Sequence, residues 1–266
     1  MSTPAAGVLV QVLALALGGV VGSFLNVVII RVPDGRSIVT PGSTCGACGR
    51  PVRWYDNVPV LAWLWLRGRC RDCGVRLSPQ YPLVEAATAL LSLFALRAFG
   101  PGLDYLIAFG FLAALVAASG VDLKVREIPD AITLPGVVVA LALSPWSGLL
   151  ATPLDGVTGA LVGAGGLYLV AEMHGWLRGF DDFEGMGRGD LKLMGLIGGV
   201  LGWQAVVPAI LLASVAGAAA GLAVMAARRT FDLQVGIPFG PFLAGAAAVT
   251  LFFPDWAPAL LARIAR

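Results

Sequence analysis

From Met1 to Ile30 no side chain carries a charge, and the pattern returns along the chain as apolar runs at about residues 83–99, 103–121, 131–150, 156–176, 191–227 and 237–253. A stretch of about 20 apolar residues spans the hydrocarbon core of a bilayer as one helix, and inside that core only helices and closed barrels satisfy every backbone amide. The run from 191 to 227 is too long for one span, and Gly202 with Trp203 is a plausible break, giving a short helix and then a full one. The sequence therefore predicts an all-α polytopic membrane protein of about eight transmembrane helices. Composition supports this. Of 266 residues 58% are hydrophobic and 13% charged, about half the charge that a soluble domain carries. A net charge of +2 gives no footing for nucleic-acid binding. The amino terminus lacks the basic region that opens a cleaved signal peptide, so the first run is expected to be a retained span.

Lys and Arg locate the cytoplasmic side. Arg31, Arg36, Arg50, Arg53, Arg67, Arg69, Arg71 and Arg76 share one loop; Lys124 with Arg126, Arg178 with Arg188 and Lys192, and Arg228 with Arg229 mark three more. With the amino terminus outside and eight spans, all four loops fall on one side, and 15 of the 18 basic residues agree, Arg97, Arg263 and Arg266 being the exceptions. The expected division is a first transmembrane helix (1–30), a cytoplasmic module (31–80) and a membrane domain (81–266). Small residues four apart recur in the spans, as Gly18 and Gly22, Gly159 and Gly163, Gly195 and Gly199, and Ala213, Gly217 and Gly221. This spacing lets helix backbones approach closely where no hydrophobic force draws helices together.

The module contains Cys45-Gly46-Ala47-Cys48-Gly49 and Cys70-Arg71-Asp72-Cys73-Gly74. Two C-x2-C pairs at this separation are compatible with disulfides outside the cell or with a metal inside it, and the cytoplasmic placement favours metal. Two thiolates on one tight turn form an edge of a tetrahedron, and the trailing glycine lets the chain curl around the ion. A closed shell of Cys45, Cys48, Cys70 and Cys73 would make the zinc structural, supplying folding energy that about 50 residues lack. The aromatic run from Trp54 to Leu66 between the pairs is expected on the bilayer interface or against the helices.

Ionisable groups at span borders are costly and so are functional candidates. Asp122 ends the third span, where a carboxylate opposes the helix dipole and cannot be a cap, although Lys124 or Arg126 offers an ion pair. Asp130, after Pro129, reads as an N-cap of the next helix. Asp190 closes Gly187-Arg188-Gly189-Asp190 and opens the sixth run, where it too suits an N-cap. The topology nevertheless puts Asp122 and Asp190 on one membrane face. Two poorly solvated aspartates facing each other share a proton, so that one can deprotonate a water while the other donates to a scissile carbonyl. Gly187 and Gly189 would let an extended peptide approach Asp190 by strand addition. Asp181, Asp182 and Glu184 in the same loop would either be solvated or attract a basic substrate segment. His174, with Glu172, is expected to hydrogen-bond between helices.

In order, the chain carries Gly22-Ser23-Phe24-Leu25-Asn26-Val27, the four cysteines, Leu66-Arg67-Gly68-Arg69-Cys70, Tyr81-Pro82-Leu83-Val84-Glu85, Asp122 with Ile128-Pro129-Asp130, and Gly187-Arg188-Gly189-Asp190-Leu191-Lys192-Leu193. Nearly the whole chain thereby resembles the bacterial prepilin peptidases, membrane aspartic proteases of the GxGD class that serve type IV pili and type II secretion. The resemblance implies a bacterial inner-membrane enzyme that cleaves the short basic leader of prepilins or pseudopilins at the cytoplasmic face. Asp122 and Asp190 match the catalytic pair, with Asp130 and Lys192 as accessory positions. Family members with the cysteine loop usually also methylate the new amino terminus with S-adenosylmethionine, for which this chain shows no glycine-rich nucleotide fingerprint. Ala62 departs from the serine common in the family before Trp63-Leu64. The competing class is a non-enzymatic transporter or assembly scaffold with a zinc docking loop.

Overall fold

The computed structural model describes residues 4–178, 187–228 and 237–256. Helices dominate them, in the order α1 (Pro4–Arg31), α2 (Leu61–Trp65), α3 (Gln80–Phe99), α4 (Leu103–Val125), α5 (Asp130–Leu143), α6 (Pro153–Arg178), α7 (Arg188–Leu201), α8 (Val206–Arg228) and α9 (Gly240–Phe252). Among the described residues the only strand-like pairings are isolated bridges, Thr44 with Pro51 and Arg69 with Arg76. Five helical stretches are long and apolar enough to cross a membrane: Gly7–Arg31, Gln80–Phe99, Leu103–Val125, Pro153–Met173 and Trp203–Arg228. The protein is thus an all-helical, multi-pass membrane protein. The other three of the eight expected helices are short: α5 and α7 have 14 residues and α9 has 13, or about 20 Å each at 1.5 Å per residue.

The break in the long run falls where the sequence predicts it. α7 stops at Leu201, Gly202 adopts φ +85° as its C-cap, and α8 begins at Val206 after a single 3-10 turn. A left-handed C-cap is the position that glycine fills without steric cost.

The chain divides into two compact units, residues 1–117 and 118–266, with the boundary inside α4. In the first, α1 lies along α3 through the predicted glycines. A Cβ on Gly18 would stand 2.6 Å from Ala89 Cα, and one on Gly22 would stand 2.7 Å from Glu85 Cα. Ser92 of α3 donates to the Ala14 carbonyl of α1 at 2.7 Å and pairs with the Tyr105 hydroxyl of α4 at 2.8 Å. Pro59 rests on Gly19, where a Cβ would meet its ring at 3.1 Å, and this seats the cysteine module on α1. The aromatic run divides: Trp54 and Trp65 are exposed, and Trp63 is half-buried.

In the second unit α6 and α7 form the tightest seam. A Cβ on Gly159 would collide with the Gly198 carbonyl oxygen, and one on Gly163 with the Met194 carbonyl oxygen. The sequence spacing correctly marks Gly159 and Gly163, but the glycine of α7 that meets Gly159 is Gly198 and not the neighbouring Gly199, which faces Val137 at 3.5 Å. Leu193, Met194, Leu196 and Ile197 of α7 are fully buried, so this short helix is an interior element.

Candidate active site and metal centre

Both predicted aspartates belong to the second unit. Asp122 sits in the last turn of α4, only 5% exposed. α7 takes Gly187 as its N-cap, so Asp190 is the third residue of the helix, and its own N–H bonds to the Gly187 carbonyl at 3.0 Å. The N-cap position therefore belongs to Gly187 and not to Asp190. The segments that carry the two acids converge although 68 positions separate them in the chain: Gly240, whose N–H bonds to Asp122, opens α9, which packs on α7, and Gly189 beside Asp190 touches Ile128, six residues beyond Asp122, so that each carboxyl lies in the field of the other.

Asp122 is not held by the ion pair that the sequence offered. No ion pair among the described residues includes it. Arg126 acts on it only as a nearby charge, while the backbone N–H of Gly240 donates to its Oδ2 at 2.9 Å. A Cβ on Gly240 would come within 2.7 Å of that oxygen. Gly240, 118 positions from Asp122, is the neighbour of the candidate site that the sequence reading misses. The one available signal was the string Pro238-Phe239-Gly240-Pro241, a glycine between prolines at a helix start.

The loop glycines serve the fold directly. A Cβ on Gly189 would lie 2.9 Å from both the Cβ and the N of Ile128, so the close approach it permits is to the chain's own α4–α5 connection. A Cβ on Gly187 would face Asp190 Oδ2 at 3.2 Å. Asp130 is not an N-cap. α5 takes Pro129 as its N-cap and Asp130 is its first helical residue, and the carboxylate forms an ion pair with Lys192 Nζ. The two accessory positions thus hold each other, tying the start of α5 to the first turn of α7. The side chain of His174 and the whole of Asp181, Asp182 and Glu184 lie outside the described residues, and Glu172 is exposed.

The four cysteines of the first unit come together as predicted. Each pair sits on the same small turn: the Cys45 N–H bonds to the Arg50 carbonyl and the Gly49 N–H to the Cys45 carbonyl, and Cys70, Val75 and Gly74 repeat the pattern, all at 2.9 Å. Gly49 and Gly74 take φ of +68° and +70°, the left-handed conformation that closes each turn. All four sulfurs lie within 4.8 Å of one another, and Cys45 Sγ stands 3.8 Å from Cys73 Sγ. Four thiolates about 2.3 Å from one tetrahedral ion would be roughly 3.8 Å apart, so the donor set and its spacing fit zinc. The backbone N–H of Cys48, and after it that of Ala47, hold the Cys45 thiol down at about 6, whereas Cys73, although the backbone N–H of Val75 lowers it, is pushed up to about 11 by burial and the other three cysteines. Beside the turns, Arg71 grips Asp56 with hydrogen bonds of 2.6, 2.8 and 3.1 Å, which keep that carboxyl below the usual range.

A polytopic helical membrane protein with two apposed aspartates, one of them following a glycine pair, and a four-thiolate module has the make-up of a membrane aspartic peptidase carrying a metal-stabilised appendage. Comparison with known proteins specifies the family. Residues 16–99 match the bacterial peptidase A24 N-terminal domain, and residues 108–222 match the type IV leader peptidase family. The prepilin leader peptidase/N-methyltransferase of Burkholderia pseudomallei (strain K96243) is 40% identical over 265 residues, covering 90% of this chain and 84% of that protein. Proteins of the same name from Aeromonas hydrophila and Stutzerimonas stutzeri are 38% and 37% identical, covering 88% and 94% of their own lengths. The chain belongs to the prepilin leader peptidase/N-methyltransferase family. No solved structure matches it.

Proposed function

We propose that this protein is an aspartic endopeptidase of the bacterial inner membrane that removes the basic leader from type IV prepilins or type II secretion pseudopilins, and that it methylates the amino terminus so exposed. The observation that carries the reading is the apposition of buried Asp122 with Asp190. It is joined by family membership, which leaves the transporter or scaffold alternative without support.

In this reading the pair holds one proton between its carboxyls. Asp122 Oδ2 accepts the Gly240 N–H, so the shared proton resides on the remaining oxygens. The ionised member takes a proton from water as the water oxygen bonds to the scissile carbonyl carbon, and the protonated member donates to the carbonyl oxygen. Collapse of the tetrahedral species breaks the C–N bond: the departing amine takes a proton from one carboxyl while a hydroxyl of the diol returns one to the other, which restores the single shared proton. α5, α7 and α9 would complete eight membrane-embedded helices, with the amino terminus periplasmic and both aspartates at the cytoplasmic face, a topology that the Lys and Arg distribution supports. A substrate with a basic leader and an apolar helix would then keep its charge in the cytosol and present its cleavage point at the membrane boundary. Asp181, Asp182 and Glu184 would attract that leader. The test is incubation of the purified protein with a prepilin and S-adenosylmethionine, followed by mass spectrometry. Loss of the leader and gain of one methyl group on the new amino terminus are expected; an intact leader refutes the reading.

Cys45, Cys48, Cys70 and Cys73 would hold zinc in a closed shell whose contribution is folding energy, on the order of 10 kcal/mol for structural sites of this kind. No peptidase step runs through it. Cys45→Ser with Cys48→Ser should abolish zinc binding, measured by metal analysis, and expose residues 37–78 to proteolysis, while leader cleavage persists in part. Absence of zinc from reduced, purified wild-type protein would dismiss the site.

A further inference from the structure

Three of the sequence motifs have no part in the aspartate site: Gly22 to Val27, Leu66 to Cys70 and Tyr81 to Glu85. All three reach one place in the first unit, a cavity of about 370 Å³ whose walls include Asn26 of α1, Cys45, Ala62 and Trp63 of α2, and Tyr81 and Glu85 of α3. The volume falls within the range of small-molecule sites, about 300–1,000 Å³.

The cavity is lined by groups that want a ligand. Asn26 is 2% exposed; its Nδ2 donates to the carbonyls of Gly22 and Tyr81, but its Oδ1 accepts from nothing. The Trp63 Nε1–H is likewise buried and unpaired. A buried unsatisfied donor or acceptor is costly, and two on residues that line one cavity point to a molecule with a complementary donor and acceptor. The Trp63 indole is set in place by Gly68, where a Cβ would lie 2.7 Å from the ring and φ is +66°.

Glu85 adds charge. It is 8% exposed, and no cation among the described residues pairs with it. Five arginines also line the cavity, and each is engaged elsewhere: Arg31 with the carbonyls of Ser37, Pro41 and Gly42, Arg36 with Asp34, Arg50 and Arg53 with Asp72, and Arg71 with Asp56. Among the described residues, the Glu85 carboxylate accepts one hydrogen bond, from the Val60 N–H at 2.7 Å. That donor is aimed by a strained backbone. Val60 has φ +61° and ψ −51°, with the Leu61 N–H bonded to the Pro59 carbonyl at 2.6 Å, a γ-turn of the rare positive-φ form, in a β-branched residue for which it is costly. Strain of this kind persists where surrounding structure enforces it, and it concentrates at ligand sites. A buried carboxylate without a cationic partner is expensive, and a positively charged ligand would relieve it.

A ligand with a positive charge, a hydrogen-bond donor and a hydrogen-bond acceptor, of a size for this cavity, describes the methyl donor of the reaction proposed above. We propose that the cavity is the S-adenosylmethionine site, with the Glu85 carboxylate serving the cofactor's positive charge and Asn26 Oδ1 and Trp63 Nε1–H serving the polar edge of its adenine. This rests on the methyl-transfer reading and locates it in the unit that lacks the aspartate pair. Ala62, the position that departs from the family's usual serine, lies on the same wall.

The test is equilibrium dialysis of labelled S-adenosylmethionine against the full-length, zinc-loaded protein in detergent, comparing wild type with Trp63→Phe and Glu85→Gln. Trp63→Phe removes the N–H together with part of the indole while keeping an aromatic ring in the wall, and Glu85→Gln keeps an acceptor for Val60 while removing the charge. Each should weaken binding about tenfold or more, the worth of one desolvated polar contact, with leader cleavage retained as the sign of an intact fold. Wild type that binds saturably while both variants bind equally well would put the site elsewhere and overturn the assignment. Wild type that cleaves leader but shows no saturable binding would overturn the methyl-transfer reading and this proposal with it.

Discussion

Asp122→Asn and Asp190→Asn should each lower leader cleavage by at least about 10⁴-fold, and the double variant should be no slower than the worse single one. Removing either member leaves the other without the partner that holds or receives the shared proton, and groups that act as a unit show grossly non-additive losses of this size. The variants separate chemistry from folding cleanly. An asparagine at 122 still offers an oxygen to the Gly240 N–H, which donates to Asp122 Oδ2 at 2.9 Å, and an asparagine at 190 leaves the first turn of α7 unchanged. Cleavage should be measured in single-turnover reactions on detergent-purified protein with wild-type zinc content and thermal stability. Turnover within tenfold of wild type in either single variant would remove that residue from the catalytic pair.

Gly240→Ala should lower kcat by about 10²-fold while changing KM less. The added methyl would stand 2.7 Å from Asp122 Oδ2 and 3.1 Å from its Cγ, so the carboxylate must move, and a displacement near 1 Å of a catalytic group costs about this much. The cause is local, because Gly240 does not have a positive φ that a side chain would strain. Gly245, also in α9, supplies the control: a Cβ there meets nothing within 4 Å, and Gly245→Ala should be neutral or stabilising by roughly 0.5–1 kcal/mol. Equal activity of Gly240→Ala and Gly245→Ala would show that the amide of Gly240 does not position Asp122.

What the sequence discloses and what it hides follow from the range of the forces involved. The helices are legible because the bilayer imposes one requirement, an uninterrupted apolar run, and the break at Gly202 is legible because a left-handed cap needs glycine. The two cysteine turns are legible because ligand spacing is local. Asp130 misleads: a carboxylate after proline at a helix start has the composition of an N-cap, but Pro129 already holds that position, and Lys192, 62 residues later, claims the side chain. Gly189 misleads similarly, since a glycine that admits a substrate and one that admits Ile128 look alike in one dimension. The Gly240 amide, the Glu85–Val60 bond and the unpaired atoms of Asn26 and Trp63 depend on contacts between distant segments, and no local pattern encodes them.

The seam between α6 and α7 has a mechanical consequence for Asp190. Where Gly159 meets Gly198 and Gly163 meets Met194, backbone touches backbone, with no side-chain rotamers between them to absorb a displacement. α7 is therefore clamped from about Met194 onward, and Asp190 stands one turn beyond the clamp, on the end of a short stiff lever. The apolar stretch of α6, Pro153–Met173, has 21 residues, about 31 Å of helix, close to the roughly 30 Å hydrocarbon core, so a thinner bilayer would be met by tilting. A change in the tilt of α6 would be passed through the clamp to α7, so the thickness of the surrounding lipid would act on the position of Asp190.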